Sequence, residues 1–134
     1  MKKSVIFVVD KNPAHRNLIK FNFERNRFTN VHAFPTAEEC LYRMQKKVIP
    51  DFVVTGFFIE CHSRFDFLHQ ILAISPSCGV VFFDNFEDRE FANRLIEAGA
   101  RDYVVKTKDP DAGISELLKN VTYLAREKRM MGVQ

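Results

Sequence analysis

"IPDFVVTGFFIE", residues 49 to 60, is the stretch on which the reading of this chain turns. After Pro50 and Asp51 it becomes a β-branched and aromatic run with no polar alternation, which reads as a strand buried on both faces. Such a strand belongs in a parallel sheet covered by helices, and sheets of that kind place their functional groups at the carboxyl ends of the strands. This strand runs out into Thr55 and Gly56 and then two phenylalanines. Glycine carries no functional group, so the position looks built for chemistry that its residue cannot perform.

Outward in both directions the same alternation repeats. "SVIFVV" (4 to 9) is another continuous apolar run and ends at Asp10. "KNPAHRNLIKFNFERN" opens on Asn12 as a helix cap with Pro13 at the first helical position, and Leu18, Ile19, Phe21 and Phe23 predict an amphipathic helix ending before Phe28. "FTNVHAF" (28 to 34) predicts a short strand, and Thr36 with Glu39 stands at capping-box spacing for a helix over about 37–47. "DFVVTG" is the third strand. Ser63 and Asp66 repeat the start signal ahead of "FDFLHQILAIS", and "GVVFF" predicts a fourth strand ending at Asp84.

"NFEDREFANRLIEAGA" carries Phe91, Leu95 and Ile96 at helical spacing and is placed to leave its helix through Gly99 in a left-handed conformation. "RDYVVK" is the fifth strand. The last helix, in "DPDAGISELLKNVTYLAREKRMM", has Ile114, Leu117, Leu118, Val121 and Leu124 on one stripe. Five strands alternating with five helices predict an α/β fold, a doubly wound parallel sheet with right-handed crossovers and helices on both faces.

Composition narrows the function classes. With 134 residues, 46% of them hydrophobic and 28% charged, the chain has the size of one domain around one core. No apolar run approaches the ~20 residues that cross a bilayer, and the five-residue run before Asp10 is too short for a secretory signal, so a soluble cytoplasmic protein is expected. Cys40, Cys61 and Cys78 are widely spaced with no CxxC pair, and are expected to be reduced packing residues. A net charge of +3, part of it in "REKRMM", is too weak to argue nucleic-acid binding. The absence of a glycine-rich loop after the first strand argues against a nucleotide-binding member of this class. Cys61 and His62 are adjacent, so they face apart and make a poor metal pair, while His15, His32 and His69 are scattered.

The order "VIFVVDKNPAHRNLI", "PDFVVTG", "FFDNFEDREFANRLIEAGARDYVVKT" resembles a CheY-like response-regulator receiver domain of two-component signalling over roughly residues 4 to 126. "EAGARDYVVK" is the most specific piece, since it resembles that family's approach to the fifth strand, its switch aromatic and its lysine. The resemblance implies a single receiver-like domain over 1–134, with the last helix reaching about 130. It also implies a flavodoxin-like sheet in the order 2-1-3-4-5. The family's chemistry needs two acids after the first strand and an aspartate after the third, which together hold Mg²⁺, a hard cation that takes oxygen ligands. The third-strand aspartate accepts a phosphoryl group from a histidine kinase. A hydroxyl residue after the fourth strand and a lysine after the fifth then bind the phosphoryl oxygens and turn the aromatic inward.

Matched residue by residue, the pattern breaks where the chemistry happens. Asp10 keeps the first acid, Lys11 reverses the charge of the second, and Gly56 stands where the phosphate-accepting aspartate belongs. Asp84 replaces the hydroxyl residue, Lys106 is kept, Thr107 follows it where proline is common, and Tyr103 matches the switch aromatic. The expectation is a degenerate "pseudo-receiver", not an enzyme, with no catalytic residues and with Mg²⁺ binding lost or weak. Asp10, Lys11, Asp84 and Lys106 are expected to form a closed charge network, with Lys106 within salt-bridge reach of Asp84 or Asp10.

Thr55 is the nearest displaced acceptor, but strand alternation points it to the face opposite residue 56. Phe57 and Phe58 are candidates for plugging the vacant pocket, for a partner patch or for plain core filling. Tyr103, Phe86, Arg89 and Asn93 mark the face formed by the fourth helix, fifth strand and fifth helix, which in the family carries dimerisation and output. The expected partners are proteins, whether a histidine kinase, a downstream signalling protein or a second copy through that face, with no membrane and no nucleic acid for this domain. An active phosphorelay receiver with a displaced acceptor stays open as an alternative. So does the receiver part of a larger transcriptional regulator, since the long last helix could serve as a connector.

Overall fold

The computed structural model describes residues 4–56, 63–84, 88–106 and 109–131. Along the chain these form β1 (Val5–Val9), α1 (Pro13–Arg25), β2 (Asn30–Phe34), α2 (Ala37–Gln45) and β3 (Phe52–Thr55). Then come α3 (Arg64–Ile74), β4 (Gly79–Asp84), α4 (Arg89–Glu97), β5 (Asp102–Val105) and α5 (Pro110–Met130). The strands pair in parallel in the order β2-β1-β3-β4-β5, the expected doubly wound arrangement. β1 therefore sits between β2 and β3, and the crevice where the order reverses opens at its carboxyl end.

Local chemistry sets the helix starts. The Asn12 side chain accepts from the backbone N–H groups of Ala14 and His15 at 2.9 and 3.2 Å, with Pro13 in the first turn. Thr36 accepts from the Glu39 N–H at 3.1 Å and Ser63 from the Asp66 N–H at 3.0 Å, as their spacing predicts. Gly99 leaves α4 with φ of 119°, and the following Ala100 N–H returns to the Leu95 carbonyl at 3.0 Å.

Two expectations need correction. The second strand starts at Asn30, not Phe28, because Arg27 turns left-handed (φ 75°) and the Phe28 N–H closes back on the Phe23 carbonyl. The Phe28 ring then packs edge-on against Phe23 and seals the helix end. In α1, only Ile19 and Phe23 are buried, whereas Leu18 and Phe21 are 37% and 55% exposed. A helix on the outside of a sheet needs only the narrow stripe that touches it.

Strand alternation sorts the core into two layers. Phe7, Val9, Val53, Val80 and Phe82 face α2, α3 and α4, where they meet Cys40, Met44, Phe67, Leu68, Ile71 and Leu95. Ile6, Val8, Val54, Val81, Phe83 and Val104 face α1 and α5, where they meet Ile19, Phe23, Ile114, Leu117 and Val121. Cys40 and Cys78 are buried free thiols, each pushed up to about 12 chiefly by burial. At its far end α5 is tied to the start of β3, where Lys128 Nζ lies 3.4 Å from the Asp51 carboxylate. Among the described residues, no helix is long and apolar enough to cross a membrane.

Candidate functional site

Asp10 follows β1 on the face shared with Val8, and Lys106 follows β5 on the face shared with Val104, so both lean toward α1 and α5. They meet there: Lys106 Nζ lies 3.4 Å from Asp10 Oδ2. The other carboxylate oxygen, Oδ1, accepts the Asn12 N–H at 2.9 Å, and the Arg16 guanidinium donates to the Asp10 carbonyl at 2.8 Å. Asp10 is thus nearly buried and held at both oxygens. The Lys106 ammonium also sits 5.2 Å above the Phe83 ring and 3.3 Å from His15 Nδ1. Lys11, next in the chain, is exposed at the entry to α1.

Gly56 is buried against this pair, and its N–H donates to the Val9 carbonyl at 2.8 Å. A Cβ at position 56 would lie 2.9 Å from Asp10 Oδ2 and 3.1 Å from its Cγ. The Asp10 carboxylate therefore occupies the space that a side chain at 56 would need.

Asp84 goes elsewhere. It ends β4 on the face shared with Phe82, toward α3 and α4, and has no solvent exposure. Its Oδ2 accepts from Arg64 Nη2 at 2.5 Å. Burial, and then the Asp84 charge, push the Tyr103 phenol up to about 12. Its ring stacks on Phe82 at 6.4 Å.

The single closed network expected from sequence is therefore replaced by two units on opposite sides of the sheet. The two-residue period of the strands is the reason: Asp84 cannot face Lys106, although the Lys106 N–H donates to the Asp84 carbonyl at 2.6 Å. Sequence reasoning missed Arg64. The signal that could have found it is an aspartate closing an all-apolar strand, because a buried carboxylate demands a cation or several donors.

Thr55 faces away from position 56, as alternation requires, and is fully buried. Among the described residues its Oγ1 has no hydrogen-bond partner. Arg89 and Asn93 are exposed on α4, and Tyr103 is half-buried beside them in sequence order on β5. Phe57, Phe58, Cys61, His62, Phe86 and Thr107 lie outside the described residues. No group of three or more His, Cys, Asp or Glu side chains suited to a metal ion occurs among the described residues.

The family model described as "Response regulator receiver domain" matches residues 6–118. The chain belongs to the response regulator receiver domain family. It is a CheY-like module of two-component signalling, a class that works through contacts with proteins such as kinases or effectors. One similar protein, from Pseudomonas aeruginosa, bears the name "Putative transcriptional regulator"; it is 28% identical over 115 residues, which are 86% of this chain and 53% of that protein. This receiver chain thus spans about half the length of that curated relative. The Francisella response regulator 1452 receiver domain superposes with a TM-score of 0.79 at 20% identity, covering 94% of this chain and 99% of that one. Thermotoga maritima DrrB, an OmpR/PhoB homologue, gives 0.75 at 25% identity, covering 92% and 54%.

Proposed function

We propose that this receiver domain signals without phosphorylation, as a protein-interaction module whose acidic pocket is closed by its own side chains. The observation that carries the reading is the Asp10 carboxylate resting against Gly56 with Lys106 as its counter-ion. In the family the aspartate at the position of Gly56 is the nucleophile, and glycine cannot form the acyl phosphate. The donor set does not fit Mg²⁺ either. Among the described residues it offers one carboxylate, Asp10, already accepting an N–H and an ammonium, and a second ammonium follows at Lys11. A unit charge of like sign 4 Å from a cation costs about 4 kcal/mol at an effective dielectric of 20.

Thr55 is a poor displaced acceptor, since it is fully buried and turned to the other side of the sheet. Incubation with Mg²⁺ and acetyl phosphate, followed by intact-mass and peptide mapping, tests this directly. The unmodified mass is expected, and a stoichiometric phosphoryl adduct at Thr55 or elsewhere in the domain would restore the phosphorelay reading.

The working surface in this proposal is the face of α4, β5 and α5 around Tyr103, Arg89 and Asn93, engaging a protein partner or a second copy of the chain. Affinity capture with a Tyr103→Ala control locates it: loss of the captured partner is expected, and an unchanged catch removes Tyr103 from the face. A second reading, the receiver part of a larger transcriptional regulator, is favoured by the half-length match to the Pseudomonas protein. The 21-residue α5, about 30 Å long, suits a connector to a following domain.

A further inference from the structure

At the amino ends of the strands, opposite Asp10, Gly56 and Lys106, lies a cavity of about 130 Å³. Its floor is apolar. The ring of Phe52, the first residue of β3, lies against the start of β4 because Gly79 has no side chain: a Cβ there would stand 2.6 Å from that ring. Leu124 of α5 and Met131 at its cap add apolar walls. Met131 is 73% exposed, and its unbranched thioether can adapt to what lies beside it. Three charged side chains line the same space. Lys128 is already committed: its ammonium lies 3.4 Å from the Asp51 carboxylate and 5.3 Å from the Phe52 ring centroid. Arg101 and Glu127 are not. Among the described residues neither of these two side chains takes part in a hydrogen bond or an ion pair, although both line the cavity. Arg101 is fixed at the foot of β5, where its N–H donates to the Val80 carbonyl at 2.7 Å. Glu127 lies near the end of α5, where the helix carbonyls add to its negative charge.

We propose that this cavity binds a small zwitterion with an apolar chain, the chemistry of a free α-amino acid such as leucine. The planar guanidinium of Arg101 takes a carboxylate through two parallel N–H donors, and the Glu127 carboxylate takes the ammonium. The apolar chain rests on Phe52 and Leu124. An apolar void of roughly 150 Å³ accepts a benzene ring, so about 130 Å³ accepts a branched aliphatic chain whose charged end stays at the mouth. Charge decides between this occupant and simpler ones. A plain carboxylate would bring its charge up to that of Glu127, a plain amine would do the same to Arg101, and a neutral apolar molecule would strip water from both charges and pair neither. A zwitterion satisfies the two together. Because Arg101 belongs to the sheet and Glu127 to the helix, the bound molecule joins the end of α5 to the foot of β5. The site shares no residue with the Asp10–Lys106 pair, so it stands whether or not that pocket accepts a phosphoryl group.

Backbone amide NMR of the full chain, titrated with leucine, tests the site. Saturable shifts centred on the amides of Gly79, Arg101 and Lys128 are expected, with a midpoint on the order of 1 mM for so small a ligand. Three probes each remove one feature: 4-methylpentanoate lacks the ammonium, isopentylamine lacks the carboxylate, and glycine lacks the apolar chain. Each is expected to bind about tenfold more weakly than leucine. In Arg101→Gln the advantage of leucine over isopentylamine should vanish, and in Glu127→Gln its advantage over 4-methylpentanoate should vanish. Leucine shifts that do not saturate at those three amides overturn the proposal. So does a singly charged probe that binds the parent as tightly as leucine, which would make the cavity an apolar cleft indifferent to Arg101 and Glu127. If either variant does not fold, the comparison of the four ligands on the parent chain decides alone.

Discussion

Gly56→Asp puts back, at the end of β3, the acid that receiver domains carry there, and the geometry predicts that it destabilises this one. The new Cβ would stand 2.9 Å from Asp10 Oδ2, closer than unbonded atoms tolerate, and Asp10 cannot swing aside freely because its Oδ1 holds the Asn12 N–H. The added carboxylate would lie roughly 4 Å from that of Asp10, where two like charges repel by about 4 kcal/mol at an effective dielectric of 20. Lys106, 3.4 Å from Asp10, offsets part of this. A net loss of about 2–3 kcal/mol at neutral pH is expected, or roughly 10 °C in Tm for a domain of this size.

The pH dependence has a definite sign. A like-charge neighbour raises the folded-state pKa of one carboxyl above its unfolded value of about 4. The penalty is therefore full above the raised pKa and shrinks as pH falls toward 4. Gly56→Ala isolates the steric part and is expected to lose about 1 kcal/mol with no pH dependence, the scale of a modest overpacking strain. Urea denaturation of parent and both variants at neutral and mildly acidic pH is the assay. A Gly56→Asp protein as stable as the parent at neutral pH, or a deficit that does not shrink on acidification, would contradict a carboxylate-filled site at position 56.

Thr55→Val replaces a buried hydroxyl that has no partner among the described residues by a methyl of similar shape, so the urea midpoint should rise, by about 1 kcal/mol in stability; a loss of that size would show that Oγ1 is bonded after all. Arg64→Ala leaves the Asp84 carboxylate buried without its cation and should cost about 3–5 kcal/mol, with an unchanged denaturation midpoint as the contrary result. Cys40 and Cys78, pushed up to about 12 chiefly by burial, should resist a thiol reagent at mildly alkaline pH in the native protein and react in urea, as peptide mapping would reveal. Equal labelling in the two conditions would contradict their burial.

The periodic parts of the fold are legible in the sequence because they follow from local chemistry. Asn12, Thr36 and Ser63 cap helices where their spacing says they should, and Gly99 takes the left-handed exit. The continuous apolar strands specify a sheet covered on both sides, and the two core layers follow from their alternation. What stays hidden is what depends on contacts across the fold. Leu18 and Phe21 read as core residues in a helical pattern, but only the tilt of α1 on the sheet decides that Ile19 and Phe23 face inward.

At the candidate site the strand-end positions are legible, and so is the Lys106–Asp10 contact. The partner of Asp84 is not, because Arg64 lies 20 residues away at a helix start that carries no local sign of its target. The parity of the strand could have warned that Asp84 and Lys106 point to opposite faces.

In the function proposed above, the pocket at Asp10, Gly56 and Lys106 is closed by its own charges and takes no phosphoryl group. Backbone amide NMR during a titration with Mg²⁺ and beryllofluoride, the phosphoryl mimic carried by an activated receiver relative, tests it most directly. The prediction is that the amides of residues 10, 56 and 106 show no saturating shifts beyond those that ionic strength causes across the surface. Saturable shifts centred on those three residues would contradict it.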